Sequence, residues 1–376
     1  MGGWVRRRGD QGLKQFNPNE GVNADAARPV AGSDPVSAGA AALAVRRSGA
    51  RVALEALQRF REGGMLAAVL VTASVFTVLD PRFFAVGNLG NIASQISFEG
   101  VLAVTMTFVL ISGEIDLSIG SMVGLTGVIF GILLQTYHVP IWPAAIITLL
   151  SGCLMGALNG GLSVLLRVPT IIITLGMLSA YRGFAYFISN GYPIENYSKT
   201  SVFFAIGQDR LFHVVPYDAM VLVVFAVIGA VVLRQTVIGH RVYAMGSNRR
   251  AAELAGIRTN RIRVGVLMFN GFAAAIAGLL VVSQTATADP NVGIGYELDV
   301  IAAVIIGGAK LTGGSGTVLA SVLGMLLLGM IRNGLVLVGV SIYLLIVVSG
   351  LIVIVAVAID RFYTRRRQVG GGVDSG

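Results

Sequence analysis

Cysteine occurs once in this chain of 376 residues, and histidine and lysine three times each. The lone Cys153 cannot close an intrachain disulfide, and inside an apolar run it reads as a small packing residue. His138, His213 and His240 are scattered over connecting segments, which argues against the His–carboxylate constellation of an integral membrane enzyme. Charge is scarce as well. Charged residues make up 12% of the chain, against about 25% in soluble domains, too few to coat a water-soluble globule. The net charge of +9 is almost entirely arginine. It gathers at the ends of apolar runs, which suits orientation in a bilayer and not a nucleic-acid partner. A phosphate-binding Gly-x-x-x-x-Gly-Lys-Ser/Thr string is also lacking: Lys310 precedes its glycine cluster.

Apolar residues, by contrast, make up 55% of the chain, with a mean hydropathy of +0.79. They fall in runs long enough for lipid to be the natural solvent. The expected fold class is all-α: a polytopic integral membrane protein with about ten transmembrane helices. The expected spans are 64–79, 95–112, 117–135, 140–166, 170–189, 217–233, 264–285, 298–309, 317–337 and 341–359. Residues 1–62 read as a disordered basic cytoplasmic tail, 63–363 as the membrane domain, and 364–376 as a basic, Gly-rich cytoplasmic tail. With ten spans, Arg167, the arginines of the loop 235–263 and those after residue 360 all fall on the side of the N-terminus. The loop 190–216 is nearly charge-balanced. Both termini are therefore expected in the cytoplasm.

Three polar passages interrupt the apolar pattern. The first is Ser112 to Ser121, with Glu114, Asp116 and Ser118 between two spans. Carboxylates close to a membrane are costly unless paired, capped or wetted. Asp116 can cap the following helix or meet a substrate, and Glu114 can lie at the interface or on the path. The second runs from Tyr296 through Glu297 and Asp299 to the glycines at 307–316, which suit sharp turns or close helix approach. The third, Gly239 to Ile257, predicts a short helix outside the bilayer, capped by Ser247 or Asn248 and stopped at Gly256. Ala251, Ala252, Glu253 and Leu254 give it a narrow apolar side that suits a groove on a partner better than acyl chains. Within the spans Glu99, Asn159, Arg182, Asn270 and Asn333 are candidates for interhelical packing or for the pathway. Gly156, Gly160, Gly161, Gly271 and Gly278 are expected at close helix contacts.

Together these passages resemble the permease family of bacterial sugar ABC importers, the ribose, xylose and rhamnose type. The matching strings are Ser112 to Ser121, Val168-Pro169 with Thr174-Leu175-Gly176 and Arg182-Gly183, Gly239 to Ile257, and Glu297 to Gly316. They stand in the same order over residues 64–363. His240 stands where the family usually has Arg. The resemblance implies a transport subunit in the bacterial inner membrane and not an enzyme. It also implies a second permease copy, cytosolic ATPase subunits and an extracytoplasmic sugar-binding protein, with residues 247–257 as the helix that couples to the ATPase. ATP and Mg would be used by those partners, with no cofactor or metal bound by this chain. Rival readings are a branched-chain amino acid or nucleoside ABC permease and an ion-coupled carrier, for which Glu99 is the one titratable candidate.

Overall fold

The computed structural model describes residues 62–195, 202–341 and 343–352, with Ile354 and Ala358 besides. The tails expected at 1–62 and 364–376 lie outside the described residues, save Glu62, which is the first residue of a helix and not of a tail, and so do the arginines after residue 360. Among the described residues, each of the ten expected spans falls on a helix. Seven helices are long and apolar enough to cross a membrane: α1 (Glu62–Leu79), α2 (Val86–Ile111), α4 (Ile141–Leu166), α5 (Thr170–Ser189), α7 (Tyr217–Gln235), α10 (Thr259–Thr285) and α12 (Val318–Leu337). The helices α3 (Ile119–Gln135), α11 (Tyr296–Ile306) and α13 (Tyr343–Ile352) are apolar but shorter. The remainder comprises a 3-10 turn at Pro81–Phe84, α6 (Val202–Gln208), a hairpin of β1 (Arg210–Leu211) and β2 (Val215–Pro216), α8 (Val237–Ser247) and α9 (Arg249–Leu254). The chain is a polytopic all-α membrane protein.

Two boundaries move for one physical reason. The helix α2 begins at Val86 and not 95, and α10 begins at Thr259 and not 264. Hydropathy marks the part of a helix that lipid surrounds. The polar turns with Asn88, Asn91 and Ser94, and with Arg261 and Arg263, are helix too.

The helix α2 is the axis of the fold. Val101 to Ile111 are all buried, and α2 packs on α7, α10, α11 and α12. The broadest interface joins α4 to α10. Gly152, Gly156 and Gly160 recur every fourth residue and so line one face of α4. A Cβ at Gly160 would lie 2.7 Å from Val264 Cα, and one at Gly152 would lie 2.7 Å from Ala275 Cβ. Only glycine admits that approach, and it replaces the hydrophobic drive that lipid cannot supply between helices. Gly161 is on another face and would meet nothing within 4 Å, so it plays no part in the contact. Large apolar side chains such as Leu154, Leu165, Ile172 and Phe187 remain exposed on α4 and α5, as surfaces in contact with lipid require.

Candidate functional site: a polar chain from the arginine-rich face into the bundle

On the arginine-rich face, α8 and α9 form a bent pair. Thr236 caps α8 by accepting from Gly239 N at 3.3 Å, and Asn248 caps α9 by accepting from Ala251 N at 3.0 Å. Gly256 ends the turn with φ +80°. The expected short helix is therefore present, with Asn248 as the cap and α8 as an additional helix leading into it. Ser247, Asn248, Ala251, Glu253, Leu254 and Gly256 are exposed, whereas Ala252 turns into the bundle. Leu254 is 84% exposed, an apolar residue presented to whatever lies beneath the membrane. Glu253 accepts from Thr259 Oγ1 at 2.6 Å and from Arg249 Nε at 3.2 Å. Those two bonds, the Thr259 bond first, hold its carboxyl below the ordinary range.

Glycines set the base of this pair against the bundle. Gly314 N donates to Ile111 O at 2.8 Å, and a Cβ on Gly246 would lie 2.7 Å from Gly314 N. The end of α8, the end of α2 and the loop before α12 thus meet backbone to backbone, and Gly113 and Gly313 turn there with φ +79° and +85°. Tyr243 closes the junction by donating to Gly316 O at 2.7 Å.

Glu114 lies beside this junction at 6% exposure. It accepts from Arg263 Nε at 2.6 Å, from Arg249 at 3.5 Å and from the Thr170 hydroxyl. One carboxylate therefore ties the α2–α3 loop to α5, α9 and α10. These side chains, with Ser163 and Arg167, line a cavity of about 970 Å³ that reaches the surface next to α9.

Two residues further on, Asp116 begins a fully enclosed network. Its Oδ1 accepts from Ser118 N at 2.9 Å and from Ser118 Oγ at 2.7 Å; Ser118, and not Asp116, is the N-cap residue of α3, so Asp116 closes the turn before the helix instead of capping it as expected. Its Oδ2 accepts from Asn270 Nδ2 at 3.0 Å, and Asn270 Oδ1 accepts from Thr105 Oγ1 at 2.8 Å. Asn159 Nδ2 donates to Ser118 Oγ at 2.8 Å, and Tyr181 donates to Asn159 Oδ1 at 3.0 Å. Asp116, Ser118, Asn159 and Asn270, separate in the sequence, form one chain of hydrogen bonds joining α2, α4, α5 and α10. All four are at 0% exposure, so they meet protein and not solvent in this conformation.

The other candidates lie apart from this chain. Glu99 accepts from Arg332 at 3.2 and 3.3 Å, Arg332 also pairs with Asp299, and it donates to Ser349 at 3.3 Å. This ion triad fastens α2, α11, α12 and α13 together. Asn333 and Asn88 exchange amide bonds at 2.8 and 3.0 Å, joining α12 to the start of α2. Arg182 donates to Pro290 O and, at 2.8 Å, to Val292 O, fixing the loop before α11. The Glu297 carboxylate abuts Gly120 of α3. Among the described residues no group of three His, Cys, Asp or Glu could hold a metal ion.

Sequence reading missed Arg249, Arg263 and Arg332 as partners. An arginine inside an apolar run was itself a signal, because at that depth it needs a carboxylate. Glu99 and Asp299 were the available ones. Thr170, Tyr181 and Thr105 gave no such signal, since hydroxyls occur freely in membrane helices.

Comparison with known proteins gives the lineage. The family described as branched-chain amino acid transport system / permease component matches residues 88–357. The ribose import permease of Haemophilus influenzae is 34% identical over 297 residues, covering 78% of this chain and 91% of that protein. The L-arabinose ABC transporter permease of Azospirillum brasilense is 32% identical over 311 residues, 83% of this chain and 91% of its own length. The xylose transport system permease of Escherichia coli K12 is 31% identical over an alignment of 383 positions, 86% of this chain and 97% of its own length. No solved structure matches significantly. With its spanning helices and its place among these permeases, the chain belongs to the ABC-importer permease family, as a multi-pass transport subunit of the bacterial inner membrane.

Proposed function

We propose that this permease passes a monosaccharide inward by alternating access, driven by ATP hydrolysed on partner subunits. A loaded extracytoplasmic binding protein delivers the sugar to a pair of permease chains, and two cytosolic ATPases dock on the arginine-rich face. Relatives named for ribose, L-arabinose and xylose support the sugar. The observation that carries the coupling is the Arg249–Glu114–Arg263 cluster. Arg249 is the first residue of α9, and Glu114 lies two residues from Asp116 on one short loop. Displacement of α9 by the ATPase pulls on Glu114, and through it on the Asp116–Asn270–Asn159 chain that joins four spanning helices. Such a cluster is a two-ended mechanical link whose energy lies in the difference between docked and released arrangements.

The test is affinity purification of the tagged chain in mild detergent, followed by ATPase assays with ribose, xylose, arabinose and leucine, each with its binding protein. The expected result is an ATPase that copurifies, is stimulated by one sugar and is lost on Glu253→Arg. Stimulation by leucine alone would replace the sugar with a branched-chain amino acid, the substrate in the family's description. Failure of any ATPase to copurify with intact permease would contradict the importer reading.

A further inference from the structure

On the side opposite the arginines, which charge asymmetry makes the outer one, α2 departs from its burial. Asn91 and Gln95, one turn apart, are exposed just before the stretch from Ile96 to Ile111 that protein encloses throughout. They open into a cavity of about 330 Å³ whose polar wall also carries Ser94, Gln208, Arg210 and Gln284. The size lies at the lower end of the range for small-molecule sites, about 300–1,000 Å³.

The wall is built rather than incidental. Gln284 Nε2 donates to Ser94 Oγ at 2.8 Å, and Ser94 donates to the buried Asp218 carboxylate. Gln208 Nε2 donates to Ser283 O at 3.0 Å, and Arg210 donates to Asn91 Oδ1 at 2.7 Å. Gln95 lines the cavity and makes no hydrogen bond among the described residues, so its donor and its acceptor are both available to a ligand there. The amides offer donors and acceptors in equal measure. Asp209 and Arg210 stand side by side with opposite charges, and Phe98 adds an apolar patch. Neither a cation nor an anion is favoured by such a wall. An uncharged ligand dense in hydroxyls, with an apolar C–H face, is.

We infer that this cavity is a receiving site for the sugar on the outer side of the permease, with Gln95 as its free hydrogen-bonding group. The inference rests on the sugar-importer reading for its ligand. Binding is measured without ATPase or transport: saturation-transfer NMR on the purified permease in lipid nanodiscs, with D-ribose, D-xylose and L-arabinose at millimolar concentration. One sugar is expected to receive saturation from the wild-type protein. Gln95→Leu, which removes a hydrogen-bonding partner, is expected to weaken it about fivefold or more. Gln95→Trp, which fills the cavity, is expected to abolish it. Size-exclusion and melting profiles establish that both variants are folded, as exposure of Gln95 leads us to expect. Undiminished transfer in the folded variants would overturn the site, and so would no transfer from any of the sugars to wild type. Either result leaves ATPase copurification standing, so failure of the cavity and failure of the importer reading are distinguishable.

Discussion

Glu99 and Glu114 are both nearly enclosed, at 5% and 6% exposure, and each faces arginine. Their surroundings assign them different work. Around Glu99 a single guanidinium, that of Arg332, serves two carboxylates, and every partner stands on a bundle helix: α2, α11, α12 or α13. No member of that triad stands on a surface helix and none is more than 19% exposed, so it holds the helices in place. Around Glu114 two guanidiniums serve one carboxylate, and one of them, Arg249, is 37% exposed on the short helix α9. That cluster has one end in the bundle and one at the surface. The same ion-pair chemistry acts as a fastener in one region and as a lever in the other.

The comparison breaks most sharply at Arg332. Arg332→Leu leaves Glu99 and Asp299 facing each other without a cation. Removing one partner of a buried pair costs about 3–5 kcal/mol. A large fall in melting temperature, or loss of folded protein from the membrane, is expected. A wild-type melting curve would show that the triad fastens nothing.

A smaller effect is expected at Asn270, between the two regions. Asn270→Leu removes the donor to Asp116 and the acceptor for Thr105. Thr105 keeps its bond to Leu102 O and Asp116 its bonds from Ser118, so the cost is that of lost hydrogen bonds, about 0.5–1.5 kcal/mol each. The melting temperature is expected to fall less than for Arg332→Leu. A fall as large as that one would make the neutral chain, and not the ion triad, the principal tie.

The smallest effect is at the exposed end of the lever. The folded pKa of Glu253 is depressed, so what its ionised carboxylate contributes is present above its ordinary pKa of 4.5 and is lost as pH falls through the lower, folded value. An NMR titration of Glu253 is expected to give a midpoint below 4.5. Thr259→Ala is expected to raise it more than Arg249→Gln, because the Thr259 bond is the larger cause. A midpoint at or above 4.5 in the wild type would mean that α9 is not tied down in this way.

The ten apolar segments were legible because lipid solvation leaves long runs in the sequence. The Asn248 cap and the Gly256 stop of α9 were legible because each is a local backbone requirement. Partners were not. Asp116, Asn159 and Asn270 read singly as polar residues in search of a role, and only packing of α4 against α10 through Gly152, Gly156 and Gly160 brings them together. The polar wall at Asn91 and Gln95 fell in a stretch that hydropathy placed largely before the span began. Its helical continuation, and the approach of α6 and the end of α10, exist only in the fold.

The lever itself is tested most directly by a double-mutant cycle of Glu114→Gln and Arg249→Gln, read as sugar transported per ATP hydrolysed in the reconstituted complex. Each single variant is expected to lower that ratio, with the double variant no worse than the more severe single, because both cut one contact. If the two losses multiply, or if Glu114→Gln transports at the wild-type ratio, ATP energy does not enter the bundle through Glu114.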